Sequence, residues 1–174
     1  LRQLCSKTDR YGLTREDIER ISTASALHDV GKIGIPESIL NKPGRLTEEE
    51  FGVVKGHVEA SIGIIKHLPS LDYVIPAVTG HHERYDGGGY PRGIAGENIP
   101  LTARILCVAD SFDAMVSKRC YKPGIPLKRV MEILREEAGK QFDPRLVEAF
   151  LSLLASGRVK VAADESSLKD LPPQ

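Results

Sequence analysis

The chain has 174 residues, of which 41% are hydrophobic and 28% charged, a composition typical of one globular domain with a sizeable core. Because 24 basic residues balance 24 acidic ones, no overall charge favours DNA or an anionic membrane, and an anionic substrate would need a local positive site. No apolar run approaches the roughly 20 residues needed to span a bilayer.

The termini and the cysteines indicate a fragment from a reducing compartment. Cys5, Cys107 and Cys120 form no CxxC pair and are odd in number, so a cytoplasmic location is the default expectation. Leu1-Arg2-Gln3 does not begin a signal peptide, and the chain has no initiating methionine. We therefore expect the sequence to be cut from a longer protein.

The first predicted helix begins at residues 14–17, where Thr14 and Asp17 have the spacing of a helix cap. An apolar stripe at three- and four-residue steps then leads to His28-Asp29, and the helix stops at Gly31. The stripe consists of Ile18, Ile21, Ala24 and Leu27. Prolines and a glycine predict an irregular connection next, with a short helical turn around residues 38–40.

The second predicted helix begins at Thr47, which forms a capping-box pattern with Glu50, and continues to Leu68. His57 lies next to its apolar stripe and is expected to face inward. The stripe consists of Phe51, Val54, Val58, Ile62 and Ile65.

A third helical segment, residues 71–82, ends in His81-His82. Residues 84–91 cannot stay helical, because three consecutive glycines, Gly87 to Gly89, imply tight turns or a close approach of the backbone.

Pro100 begins a strongly apolar helix that contains Asp110 and, three residues later, Asp113. Asp110 needs a partner there, because an unpaired buried carboxylate is costly; a metal, an arginine or a helix end would each supply one. Asp113 and Arg104 are interpreted as structural residues.

The last predicted helices begin at Pro126 and at Asp143-Pro144 and end near Ala155. Residues 159–161 are predicted to form a short β element, and residues 164–174 a mobile tail. The chain as a whole is predicted to be all-α apart from that element.

Four of the five histidines belong to a spaced set of residues that suits a transition-metal site: His28-Asp29, His57, His81-His82 and Asp110. Taken singly, each is more often a core or capping residue. Each dyad, however, follows an apolar helix and precedes a glycine, where side chains can converge on a cleft. A metal-centred hydrolase is the first hypothesis.

Three segments are similar to the HD-GYP family: HDVGKIGIP at 28–36, HHERYDGGGYP at 81–91 and VADSFDAM at 108–115. The similarity extends through residues 39–51, 99–106, 117–123 and 141–150. This resemblance implies an HD-domain-like helical bundle with a central metal site. It also implies hydrolysis of bacterial cyclic di-GMP to pGpG, GMP or both through a metal-bridging hydroxide.

The resemblance implies metal-ligand roles for His28, Asp29, His57, His81, His82 and Asp110, with Asp29 bridging two ions. It implies two or three divalent transition-metal ions, iron or manganese in preference to zinc or nickel, which ligand chemistry alone does not distinguish.

Four further residues receive roles through the resemblance. Lys32, one turn after His28, is a candidate for stabilising the developing negative charge or protonating the leaving oxygen; the alternative is a solvated loop lysine. Tyr90 is expected to stack on guanine, and Arg119 and Lys122 to contact the substrate. Asp29 and Lys32 are the catalytic candidates.

Family members carry an earlier helix that usually supplies one more histidine, and sometimes a glutamate, to the metals. Here residues 1–10 contain neither. We therefore expect residues 1–155 to form an HD-GYP-like domain with an incomplete first helix, and residues 156–174 a partly flexible C-terminal extension. A receiver or sensor domain upstream, or a diguanylate cyclase partner, is compatible with the resemblance; the oligomeric state stays open.

Two alternatives remain. The chain could be a weakly active or inactive signalling module that binds nucleotide or a partner protein, as the incomplete ligand set suggests. It could instead be an HD-type phosphohydrolase for another nucleotide, such as a different cyclic dinucleotide.

Overall fold

The computed structural model describes residues 13–117 and 124–159, and within these ranges it is an all-α structure without β-strands. The predicted fold class is confirmed. Residues 160 and 161 of the predicted β element lie outside the described residues. The α-helices are α1 (Arg15–Leu27), α2 (Glu37–Leu40), α3 (Glu48–Lys55), α4 (His57–Ile65), α5 (Ile75–Gly80), α6 (Leu101–Val116), α7 (Leu127–Glu136) and α8 (Pro144–Ala155). Short 3-10 helices occupy Val30–Gly34, Pro69–Val74 and Gly96–Asn98.

Both predicted helix starts with a hydroxyl cap are present as complete capping boxes. The Thr14 hydroxyl accepts a hydrogen bond from the Asp17 N–H, and the Asp17 carboxylate accepts one from the Thr14 N–H. Thr47 and Glu50 make the same reciprocal pair. Each box satisfies backbone donors that the first turn of a helix leaves free.

Two predicted helices are interrupted, and both predictions were wrong in extent. The segment from Thr47 divides at Gly56 into α3 and α4. The segment 71–82 is partly a 3-10 helix, and its α-helix extends only over Ile75–Gly80. Pro76 explains the late start, because a proline lacks the N–H needed in a helix interior and is tolerated in the first turn.

The core consists of two clusters that share α1. Ile21 packs with residues of α6, α7 and α8, whereas Ala24, one turn later, packs with α4 and α5. A buried ion pair joins α6 to the start of α8: Arg104 Nη1 lies 2.5 Å from Asp143 Oδ2. Arg104 is thus structural, as interpreted from the sequence. Asp113 is exposed and accepts a hydrogen bond from the Ser117 hydroxyl.

Candidate metal centre

Three of the predicted histidine ligands are held in the same way, each immediately after a helix or at its cap. The Nδ1 atoms of His28, His57 and His81 lie 2.8, 2.6 and 2.7 Å from the carbonyl oxygens three residues earlier. Those carbonyls belong to the last turns of α1, α3 and α5, where a helix leaves its carbonyls without the regular donor four residues later. When Nδ1–H donates to a carbonyl, Nε2 is left as the free ligand atom.

This arrangement gives a physical reason for the break at Gly56. The Val54 carbonyl oxygen accepts a hydrogen bond from the His57 imidazole, and α4 begins at His57 itself. Because of this interruption, the His57 ring contacts the last turn of α3 through Nδ1 and lies buried beside His81 through Nε2.

Four predicted ligands converge tightly: the ligand atoms of Asp29, His57, His81 and His82 all lie within 4.8 Å of one another. His57 Nε2 is 3.3 Å from Asp29 Oδ1 and 3.5 Å from His81 Nε2. These side chains come from three separate chain segments, so the fold assembles a transition-metal type of donor set.

Of the other two predicted ligands, His28 contacts the second oxygen of Asp29, and Asp110 contacts His28. His28 Nε2 is 3.3 Å from Asp29 Oδ2 and 3.5 Å from Asp110 Oδ1. Lys32 Nζ lies 2.5 Å from the same Asp29 oxygen. Asp29 therefore presents one oxygen to the His57 group and the other to His28 and Lys32.

The unsatisfied polar atoms at the centre have the chemistry of cation ligands. Within the described residues, His28 Nε2 and Asp29 Oδ1 are buried without a hydrogen-bond partner, although both lie at ion-pair distance from other site atoms. Buried polar groups are normally paired, and unpaired ones need an explanation. Nitrogen and carboxylate lone pairs aimed at one space suit a divalent metal.

The pKa values of the histidines differ with their surroundings. Burial lowers the pKa of His81 to about 4 and that of His82 to about 3, so both are neutral at physiological pH, the form that binds metal. Burial also opposes the charged form of His28, but Asp110 and Asp29 outweigh it and raise that pKa to about 10. A metal ion bound at His28 Nε2 would therefore have to replace the proton on that nitrogen. Asp29 is buried too, yet His28 and Lys32 hold its pKa well below the usual range.

Gly31 and Ser61 position the His-Asp dyad against α4. The Ser61 hydroxyl accepts from the Gly31 N–H and donates to the His28 carbonyl. A Cβ atom on Gly31 would lie 2.2 Å from the His57 carbonyl oxygen and 2.4 Å from the Ser61 nitrogen. Only glycine permits this contact between the two ligand-bearing segments.

A cavity of about 270 Å³ opens beside the centre. It is lined by α3, by α6 and by residues 84–91, which contain Gly89-Tyr90-Pro91 and are called the GYP loop. Tyr90 lines it, as predicted for a substrate-facing residue, and its ring stacks on His82. Gly89 allows the loop to fold back, because a Cβ there would lie 2.3 Å from the Arg84 nitrogen. Arg119 and Lys122 lie outside the described residues.

The sequence did not predict several residues of this cavity, among them Phe51, Lys55 and Glu83. Phe51 was placed in an inward apolar stripe, yet it is 44% exposed and lines the cavity together with Lys55. The sequence feature that could have indicated Lys55 is its position two residues before the candidate ligand His57. Glu83, directly after the His-His dyad, is 2% exposed; one oxygen accepts from the Arg92 N–H and ties the two ends of the GYP loop.

No helix in the described ranges combines the length and apolar character required for crossing a membrane.

Comparisons with known proteins agree with the geometry. The HD domain family matches residues 3–146. Two relatives are a cyclic di-GMP phosphodiesterase response regulator of Xanthomonas campestris and a cyclic di-GMP phosphodiesterase of Thermotoga maritima. Each is 44% identical, over 82% and 83% of this chain and 38% and 40% of the respective relative. The chain thus spans about two fifths of their length.

A third relative, a 3'3'-cGAMP-specific phosphodiesterase of Vibrio cholerae, is 41% identical over 81% of this chain and 27% of its own length. A crystal structure of a cyclic GMP-AMP specific phosphodiesterase from the same species has a TM-score of 0.66 at 18% identity, covering 99% of this chain and 47% of that one, which shows the shared fold. The family match, together with the converging His-Asp set and the GYP loop, leads to one conclusion: this chain belongs to the HD domain family, in its HD-GYP branch.

Proposed function

We propose that this chain is a metal-dependent phosphodiesterase that hydrolyses cyclic di-GMP to pGpG, GMP or both. The observation that carries the proposal is the double contact of Asp29, whose two oxygens face His57 on one side and His28 with Lys32 on the other. A carboxylate in this position can bridge two cations, the arrangement suited to in-line displacement at phosphorus. Relatives named as cyclic di-GMP phosphodiesterases support the substrate class.

The residues divide into two sets of ligands that share Asp29. His57, His81 and His82 would hold one divalent ion, and His28 with Asp110 the other, with iron or manganese as the proposed metals. Divalent cations so placed supply Lewis-acid activation of the phosphodiester and lower the pKa of the attacking water. A third ion would need ligands from outside the described residues.

The chain's own side chains then orient the substrate and handle charge. Lys32, whose ammonium contacts Asp29, would stabilise negative charge on the phosphoryl oxygens or protonate the leaving oxygen. Tyr90 offers a ring at the cavity wall for a guanine base. Arg119 and Lys122 are retained as proposed substrate contacts.

The proposed setting is a signalling protein of the bacterial cytoplasm. Residues 1–155 would form the HD-GYP domain and residues 156–174 a C-terminal extension. The chain spans about two fifths of its relatives' length. An upstream receiver or sensor domain, or a diguanylate cyclase partner, is part of the proposal.

The direct test replaces His28 and Asp29 with alanine and measures linearisation of cyclic di-GMP by chromatography, with Mn²⁺ or Fe²⁺ supplied. We expect turnover to disappear and the metal content, measured by elemental analysis, to fall below that of the unmodified chain. Unchanged turnover would remove the dyad from the mechanism. Nucleotide binding without turnover in the metal-loaded, unmodified chain would favour a signalling module.

A second candidate substrate is cyclic GMP-AMP, because one relative of 41% identity is named as specific for it. Parallel measurement of kcat/KM for the two cyclic dinucleotides decides between them. A higher value for the hybrid dinucleotide would replace cyclic di-GMP in the proposal.

A further inference from the structure

Lys55 forms a cation-aromatic group with two residues at the cavity wall. Its Nζ lies 4.6 Å from the ring centroid of Phe51 and 5.3 Å from that of Tyr90. The two rings meet edge to face, with centroids 6.2 Å apart. Aromatic faces attract an ammonium group, so the two rings hold Lys55 beside the cavity.

Lys55 differs from the other cations near the centre, because they are already paired. Arg84, which also lines the cavity, contacts Asp86 at 2.8 Å and Glu137 at 3.6 Å. Lys32 is bound to Asp29. Among the described residues, no carboxylate lies within ion-pair distance of Lys55, which leaves its positive charge for a ligand.

A cyclic dinucleotide brings two phosphodiester groups, each with one negative charge. When one of them lies at the Asp29 centre, the other must rest elsewhere in the cavity and needs a positive partner. We propose that Lys55 binds this second, non-scissile phosphate, with Phe51 and Tyr90 holding the ammonium in place. The inference rests on the proposed function, and it gives the electrically neutral chain a local cation for an anionic substrate.

The test compares Lys55→Met, which keeps the aliphatic stem but removes the charge, with Lys55→Arg, which keeps the charge. Lys66→Met is the matched control, because Lys66 is an exposed lysine at the end of α4 that does not line the cavity. Each variant is assayed with cyclic di-GMP and with bis(4-nitrophenyl) phosphate, a diester with a single phosphate. The dissociation constant for cyclic di-GMP is measured separately by calorimetry.

For Lys55→Met we expect the KM and the dissociation constant for cyclic di-GMP to rise about tenfold, with kcat changed less than about twofold, as for loss of one charged contact. The KM should also lose part of its dependence on ionic strength. Lys55→Arg and Lys66→Met should stay near the unmodified protein. Activity on the one-phosphate diester should fall less in Lys55→Met than activity on cyclic di-GMP, and it should be unchanged in Lys66→Met.

Two results would overturn the inference. The first is an unchanged KM and dissociation constant for cyclic di-GMP in Lys55→Met. The second is an equal loss of activity with both substrates, which would mean that Lys55 acts on folding or chemistry. Failure of the proposed function is separate. If the unmodified protein binds cyclic di-GMP without hydrolysing it, weaker binding by Lys55→Met still supports the phosphate contact. If it does not bind the dinucleotide at all, both proposals fall.

Discussion

The ring of Tyr90 stacks on the ring of His82, with centroids 4.7 Å apart and planes inclined by 23°. His82 is the one predicted histidine ligand whose ring makes no hydrogen bond within the described residues; its neighbours are the rings of His57, His81 and Tyr90. Tyr90 therefore does more than line the cavity. It fixes the orientation of a candidate metal ligand.

Two replacements of Tyr90 distinguish the stacking of its ring on His82 from a role of its hydroxyl group. Tyr90→Phe keeps the stacked ring, and we expect kcat/KM for cyclic di-GMP within about threefold of the unmodified value. Tyr90→Ala removes both the stack and the base platform, and a loss of about 10-fold to 100-fold is expected from one aromatic contact with each partner. Steady-state kinetics with elemental analysis measures both effects; an active Tyr90→Ala variant with full metal content would contradict the role.

Asp29 is expected to control metal content as well as rate. Asp29→Asn keeps the size but removes the charge that both halves of the centre share, so bound metal should fall and kcat should drop at least about 1000-fold. Asp113→Asn is the control, because Asp113 is exposed on the same helix as Asp110 and lies outside the centre. Equal metal content in the two variants would argue against a bridging carboxylate.

Lys32 is expected to act on the rate without holding the metal. Lys32→Met should lower kcat about 10-fold to 1000-fold, as for loss of an electrostatic or proton-donating group, while metal content stays near normal. A variant with unchanged kcat would support the alternative reading of a solvated loop lysine. Rescue by Lys32→Arg would favour charge stabilisation over proton donation, since arginine stays protonated.

Gly31 and Gly34 offer a matched pair within one 3-10 helix. Gly31→Ala forces a methyl group against the His57 carbonyl and Ser61, and we expect the free energy of unfolding to fall by about 2 kcal/mol or more. A Cβ at Gly34 meets no atom within 4 Å, so Gly34→Ala should leave stability nearly unchanged. Urea denaturation followed by circular dichroism measures both; equal midpoints would show that the contact is not tight.

The raised pKa of His28 predicts an alkaline loss of stability in metal-depleted protein. A histidine whose pKa rises from 6.5 to about 10 on folding binds its proton more tightly in the folded state. Its contribution is complete below about pH 6.5 and is lost as pH rises toward 10. We expect the melting temperature to fall over this range in chelator, and His28→Gln to flatten that slope. An equally steep slope in the variant would exclude His28 as its source.

Local sequence was sufficient for the features that depend on neighbours along the chain. The capping boxes at Thr14 and Thr47 each join residues three positions apart, so side-chain chemistry and spacing determine them. The helical class followed from the three- and four-residue periodicity of the apolar residues. The candidate ligands were identifiable for the same reason, since each dyad follows an apolar helix and precedes a glycine.

Only the tertiary structure decided how those residues meet. His57 reaches His81 across 24 positions because α4 packs against α5, and Gly31 lets the segment after His28-Asp29 pack against α4. The break at Gly56, the exposure of Phe51 and the placement of Lys55 over two rings depend on partners distant in sequence. Periodicity records which side of a helix is apolar, but it does not record which other segment will cover that side or which charges will be left without a partner.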